Sequence, residues 1–134
     1  MKTFRALALA MALGLAGCRA DGDLPPSYRS VSVPEDQLAS GESRERGRRL
    51  FLMHCALCHG VNADGRGVRR EGLSSPPRDF TDPNTRAKSS ARRMFYEIRE
   101  GIRGTAMPSW KVLDEGGTWD LVAYLRSVSL RPPR

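Results

Sequence analysis

The stretch that decides this chain's fold runs Gly47-Arg48-Arg49-Leu50-Phe51-Leu52-Met53-His54-Cys55-Ala56-Leu57-Cys58-His59-Gly60. Its first half reads as a helix, because Gly47, Leu50 and Phe51 fall at i, i+3 and i+4 on one face. Ser40 suits the N-cap of that helix, with Glu42 and Glu45 near the positive end of its dipole. A glycine inside a helix costs about 1 kcal/mol relative to alanine. Close approach of another helix at Gly47 would offset that cost. The second half sets two thiols three residues apart, one helical turn, with an imidazole directly after them.

That pattern has four chemical readings. A thioredoxin-like dithiol would start a helix after a strand, and no segment alternates with a period of two. Tetrahedral zinc needs two further Cys or His donors, and besides His59 there is only His54. A disulfide between neighbours this close cross-links little. The fourth reading is covalent haem attachment, in which Cys55 and Cys58 add to the vinyl groups and His59 binds the iron. The other ring nitrogen of His59 should then donate to a backbone carbonyl. In an exported chain the fourth reading is favoured.

Export is read from the N-terminus. Residues 1–5 carry Lys2 and Arg5, and residues 6–16 are apolar but too short for a spanning helix, which needs about 20 residues. Residues 1–17 therefore read as a secretory signal. Leu15-Ala16-Gly17-Cys18 resembles the lipobox of bacterial lipoproteins, which implies that Cys18 is the lipidated first residue of the mature chain. Two or more acyl chains hold stably where one gives marginal binding. Ordinary cleavage nearby, leaving Cys18 as a stray thiol, is the alternative. The lipobox and the paired thiols account for all 3 cysteines.

Residues 18–39 hold Pro25-Pro26 and Pro34 among Ser and Asp, and read as a lipidated N-terminus followed by a flexible tether. Such a tether spans roughly 25 Å root-mean-square. An ordered course against a larger complex is the alternative. The chain has 22 basic and 15 acidic residues, so loss of Lys2 and Arg5 with the signal leaves 20 against 15, or +5. A balance of this size steers toward acidic partners or is simply a solvated surface. Export argues against nucleic acid.

The rest of the chain reads as all-α, three to four helices with long loops. Residues 60–82 form a loop, with a tight turn at Asn62-Ala63-Asp64-Gly65 and Pro76-Pro77 barring regular helix. A second helix is expected from Ser89 or Ser90 to Gly101, presenting Met94, Phe95 and Ile98. A third is expected over 118–128, capped by Thr118 or Asp114, with Leu121, Leu125 and Val128 in register. A domain this small has a thin core. An apolar disc at its centre would complete it. Of 5 methionines, Met1 and Met11 lie in the signal, Met53 adjoins the thiol motif, and Met94 sits on a helix stripe. Met107, in a loop before Pro108, is left as the second axial ligand, in the His/Met pattern of cytochromes c. His54 is the alternative ligand, but its place beside Cys55 makes that sterically awkward, and it is expected to be exposed.

Over residues 40–130 the chain resembles class I c-type cytochromes. The resemblance rests on Gly47-x-x-Leu50-Phe51, Cys55-Ala-Leu-Cys58-His59-Gly60, Gly104-Thr-Ala-Met107-Pro108 and Trp119-Asp-Leu-Val-Ala-Tyr124-Leu125-Arg126. It implies a cytochrome c domain over 40–134 wrapped around one haem c, with His59 and Met107 on the iron. It further implies Gly47 packed on Tyr124, a Pro76 or Pro77 carbonyl receiving the His59 ring proton, and Arg78 or Trp110 near a propionate. Function follows as electron carriage rather than catalysis. The expectation is a lipid-anchored carrier on the periplasmic side of a bacterial membrane, inner or outer. It would pass electrons from a respiratory donor to a terminal oxidase or other haem enzyme, or serve as a fixed subunit of a larger respiratory complex.

Overall fold

The structure is a computed structural model that describes residues 21–128 and 130. The signal over 1–17, the lipidation residue Cys18 and the tail after residue 130 lie outside the described residues. Among those described the chain is helical without strands, in the order α1 (Pro26–Arg29), α2 (Glu35–Ala39), α3 (Gly41–His54), α4 (Ala56–His59), α5 (Pro83–Lys88), α6 (Ala91–Glu100) and α7 (Glu115–Val128).

The three long helices start where side chains can cap them. Ser40 accepts from the Ser43 N–H and Ser90 from the Arg93 N–H, each meeting an otherwise unpaired first-turn donor. Asp114 takes the Gly117 N–H at 2.6 Å, so α7 begins at Glu115 and carries Gly116-Gly117 inside it. The expected start at 118 was late because two glycines disfavour helix on propensity alone. At the other end of α6, Gly101 adopts φ +74°. A Cβ there would meet the Met107 carbonyl oxygen at 2.7 Å, so the loop turns back tightly on the helix end.

The most extensive helix pairing is α3 against α7. Gly47 makes it possible: a Cβ at that position would sit 1.9 Å from the Asp120 carbonyl oxygen. The close crossing was expected, and the atoms a Cβ there would meet first are the Asp120 and Leu121 backbone. Tyr124 lies further along and packs on Phe51, ring centroids 5.3 Å apart. Asp120 also clasps the two helices from the side, receiving Arg46 Nε at 2.7 Å and Gln37 Nε2 at 2.9 Å. Burial pushes its carboxyl upward, but hydrogen bonds from Arg46, Gln37 and Ser43 outweigh that and hold it below its ordinary value.

Residues 21–39, expected to be a flexible tether, are folded onto the domain. Leu24 is buried, and Tyr28, Val31, Val33 and Leu38 pack partly buried against the core. This corrects the domain boundary at residue 40: the folded unit begins by residue 21. Isolated apolar residues between prolines carry no helical or strand period, yet each finds a place on a core already formed by α6 and α7. That core is otherwise small: Phe51, Phe80, Met94, Phe95, Ile98, Trp119, Leu121, Val122, Tyr124, Leu125 and Val128 with two alanines.

Candidate haem-binding site

The thiol motif sits where α3 ends and α4 makes a single turn. Cys55 closes α3 through its N–H to the Phe51 carbonyl at 2.8 Å, and its own carbonyl accepts from His59 N–H at 2.9 Å. The loop that follows folds back on this turn and satisfies its end. Arg69, Gly67 and Gly65 donate to the carbonyls of Leu57, Cys58 and His59 at 2.9, 3.1 and 2.8 Å. The motif is therefore clamped by backbone bonds on both sides.

His59 lies in a wall of aromatic rings, 5.3 Å from Phe80 and 6.3 Å from Phe51 between centroids. Its Nδ1 is 3.2 Å from the Arg78 carbonyl oxygen, the bond that orients the ring. The expected acceptor was Pro76 or Pro77, so the loop delivers the carbonyl one or two residues later. Phe80 explains the register: its N–H bonds the Ala63 carbonyl at 2.8 Å and its ring is buried, which fixes residues 78–80 beneath the imidazole. Burial lowers the His59 pKa, partly opposed by the Arg78 carbonyl, so the neutral imidazole is favoured.

A cavity of about 560 Å³ opens over this wall, lined largely by apolar side chains. Cys55, Cys58, His59 and Met107 all line it, as do Arg78 and Trp110. Neither cysteine is in a disulfide. Burial, with the nearby Cys58, pushes the Cys55 thiol up to about 12, which is contrary to the lowered value a dithiol redox centre needs. Among the described residues no group of three or more His, Cys, Asp and Glu could hold a metal ion, which removes the donors zinc would require.

Three methionines line the cavity and differ in setting. Met53 is 70 % exposed beside the motif, whereas Met94 is 2 % exposed on the apolar face of α6. Met107 is partly buried in a loop pinned by its own backbone: its N–H reaches Thr105 Oγ1 at 3.1 Å, and its carbonyl accepts from Ile102 N–H at 3.1 Å. Trp110 is tied to α6 through its N–H to the Ile98 carbonyl, and its ring lies 5.2 Å from His54. His54 is thus half-buried against Trp110 and lines the cavity, rather than standing exposed as expected. Arg78 is braced by Glu97 at 2.8 Å and Ser89 at 3.4 Å. Glu97 was missed in the sequence. Its signal was a carboxylate at i+3 from Met94, inside an otherwise apolar stripe of α6.

The donor set and cavity fit haem c: two unpaired thiols at the edge, a neutral imidazole in the wall, a thioether sulfur, and an apolar interior. The comparisons agree. The chain matches the Cytochrome c family over residues 44–129 and belongs to it. Members bind covalently attached haem c, transfer electrons and have redox protein partners, and Cys55, Cys58 and His59 fall at the attachment motif. The structure is also similar to a chain of a reducing HAO-like protein complex from Kuenenia stuttgartiensis, with TM-score 0.60 and 26% sequence identity. That similarity covers 66% of this chain and 44% of the other, so the chain spans less than half of its neighbour's length.

Proposed function

We propose that this chain is a class I, single-haem, lipid-anchored electron carrier of a bacterial respiratory chain, with His59 and Met107 as its axial ligands. The observation that carries the proposal is one apolar cavity shared by Cys55, Cys58, His59 and Met107. Haem bound there supplies a one-electron iron couple. Cys55 and Cys58 hold it as thioethers. The Arg78 carbonyl accepts a hydrogen bond from the Nδ1–H of His59, which would leave Nε2 as the nitrogen to hold the iron. The Met107 loop is fixed at both its N–H and its carbonyl, which suits a sulfur that must stay in place as charge changes. Filling both axial positions from the chain leaves no open site for substrate, which favours electron carriage over catalysis. Arg78 and Trp110 are assigned to the propionates. With one edge of Arg78 held by Glu97, other guanidinium N–H groups are left to donate.

The lipid anchor at Cys18 and a place on the periplasmic side of a membrane rest on the signal-like residues 1–17 and the lipobox-like Leu15-Ala16-Gly17-Cys18. No helix among the described residues is long and apolar enough to cross a membrane. Mass spectrometry of the purified chain tests both ends at once. It should report one haem across Cys55 and Cys58 and an acylated Cys18. A mature chain without haem mass contradicts the carrier reading, and a non-acylated N-terminus contradicts the anchor.

A second reading makes the chain a fixed electron-transfer subunit of a larger complex, favoured by its similarity to a chain of a protein complex. Purification in mild detergent separates the two. Stoichiometric co-elution with large membrane subunits supports the subunit reading, and elution alone supports the mobile carrier.

A further inference from the structure

Residues 21–39 form a strap with named attachment points. Asp21 meets the Ser90 hydroxyl and lies 3.3 Å from the Arg92 guanidinium, while Asp23 pairs with Arg93. Arg92 Nε donates to the Val31 carbonyl at 2.8 Å. Tyr28 donates to Glu100 at 2.5 Å, and its ring meets Tyr96 edge-on at 4.8 Å. Gln37 then bonds Gly116 and Asp120 on α7, each at 2.9 Å. The strap is gripped along the whole of α6 and across to α7.

Only Arg19 and Ala20 separate Asp21 from Cys18. Three peptide units reach at most about 10 Å when fully extended. A free tether of about twenty residues would range over roughly 25 Å. Asp21 and Asp23, where that short reach ends, sit against the start of α6 through Ser90, Arg92 and Arg93. Asp23, Thr85, Lys88, Ser89 and Arg93 line one shallow depression there. Its character is polar and donor-rich, and the large exposed apolar residues, such as Met53, Leu57 and Val68, lie at other positions in the chain. Such a surface suits lipid headgroups rather than acyl chains.

Resting on the reading that Cys18 is acylated, we infer that the strap holds the domain against the bilayer in one preferred orientation, with residues 21–23 and 83–93 toward the headgroups. Redox partners then meet the cytochrome in the plane of the membrane rather than at the end of a swinging arm. The haem itself reports this, because its absorption is polarised in the macrocycle plane.

The test uses full-length lipidated holoprotein in oriented supported bilayers of phosphatidylethanolamine and phosphatidylglycerol, read by linear dichroism at the haem bands. The native chain should show clear dichroism. Insertion of about fifteen Gly and Ser residues between Ala20 and Asp21 adds a reach of about 20 Å. It should abolish the dichroism while leaving membrane binding and the haem spectrum unchanged. An isotropic native signal overturns the inference, as does dichroism that survives the insertion. A bilayer-bound chain whose mass shows no acyl group overturns the anchor reading itself, a result distinct from an acylated chain without preferred orientation.

Discussion

A side-chain carbon on Gly47 would lie 1.9 Å from the carbonyl oxygen of Asp120, so the two longest helices touch backbone to backbone at that point. Gly47→Ala normally raises helix propensity by about 1 kcal/mol. Here it forces α3 and α7 apart. The expected outcome is a net loss of about 1–3 kcal/mol in denaturant titration of the holoprotein. Unchanged or increased stability would show that the crossing yields without cost.

Asp120 makes stability depend on acid. Its carboxyl is held below the ordinary 3.8 by Arg46, Gln37 and Ser43 against the upward pull of burial. A depressed carboxylate contributes stability above the unfolded value and loses it as pH falls through the lower folded value. Asp120→Asn should therefore be clearly less stable than the native chain at neutral pH. The gap should close progressively below pH 3.8. A gap that stays constant down to pH 2 would mean that the charge on Asp120 is irrelevant.

Tyr28→Phe tests the strap without emptying its aromatic contact. Loss of one hydrogen bond to a charged Glu100 should cost about 1.5–3 kcal/mol if Glu100 is left unpaired, and less here because Lys111 also reaches it at 2.7 Å. Amide exchange should rise over residues 21–31 in the variant. Unaltered exchange there would mean that Leu24 and the arginine pairs hold the segment without Tyr28.

Cys18→Ser should release soluble holoprotein from the membrane fraction with its haem spectrum intact. Persistent sedimentation with membranes would point to a protein partner or an uncleaved signal instead of a lipid.

What the sequence disclosed was local. Ser40 and Ser90 mark helix starts through bonds to their own neighbours, Gly101 ends α6 by its positive φ, and the thiol motif occupies a single turn. What it concealed was set by partners far along the chain. Leu24 and Tyr28 look like isolated apolar residues until α6 supplies a surface for them, and Gly47 does not name the residue it must clear. The carbonyl beneath His59 belongs to Arg78 because Phe80 seats in the core and bonds Ala63, a register that no periodic pattern encodes. Helix α5 was legible and overlooked: Asp82 before Pro83 is a cap followed by the residue most suited to a first turn, and Asp82 takes the Asn84 N–H at 2.9 Å. Glu97 was hidden for a different reason. A carboxylate in an apolar stripe reads as an interruption until Arg78 is seen beside it.

The most direct measurement is the weak sulfur-to-iron charge-transfer absorption of the oxidised holoprotein, compared across the native chain, Met94→Leu and Met107→Ala. The proposed ligation predicts the band in the native chain and in Met94→Leu. It predicts loss of the band in Met107→Ala, together with binding of added imidazole. A band that survives Met107→Ala, or disappears in Met94→Leu while the haem stays attached, would contradict it.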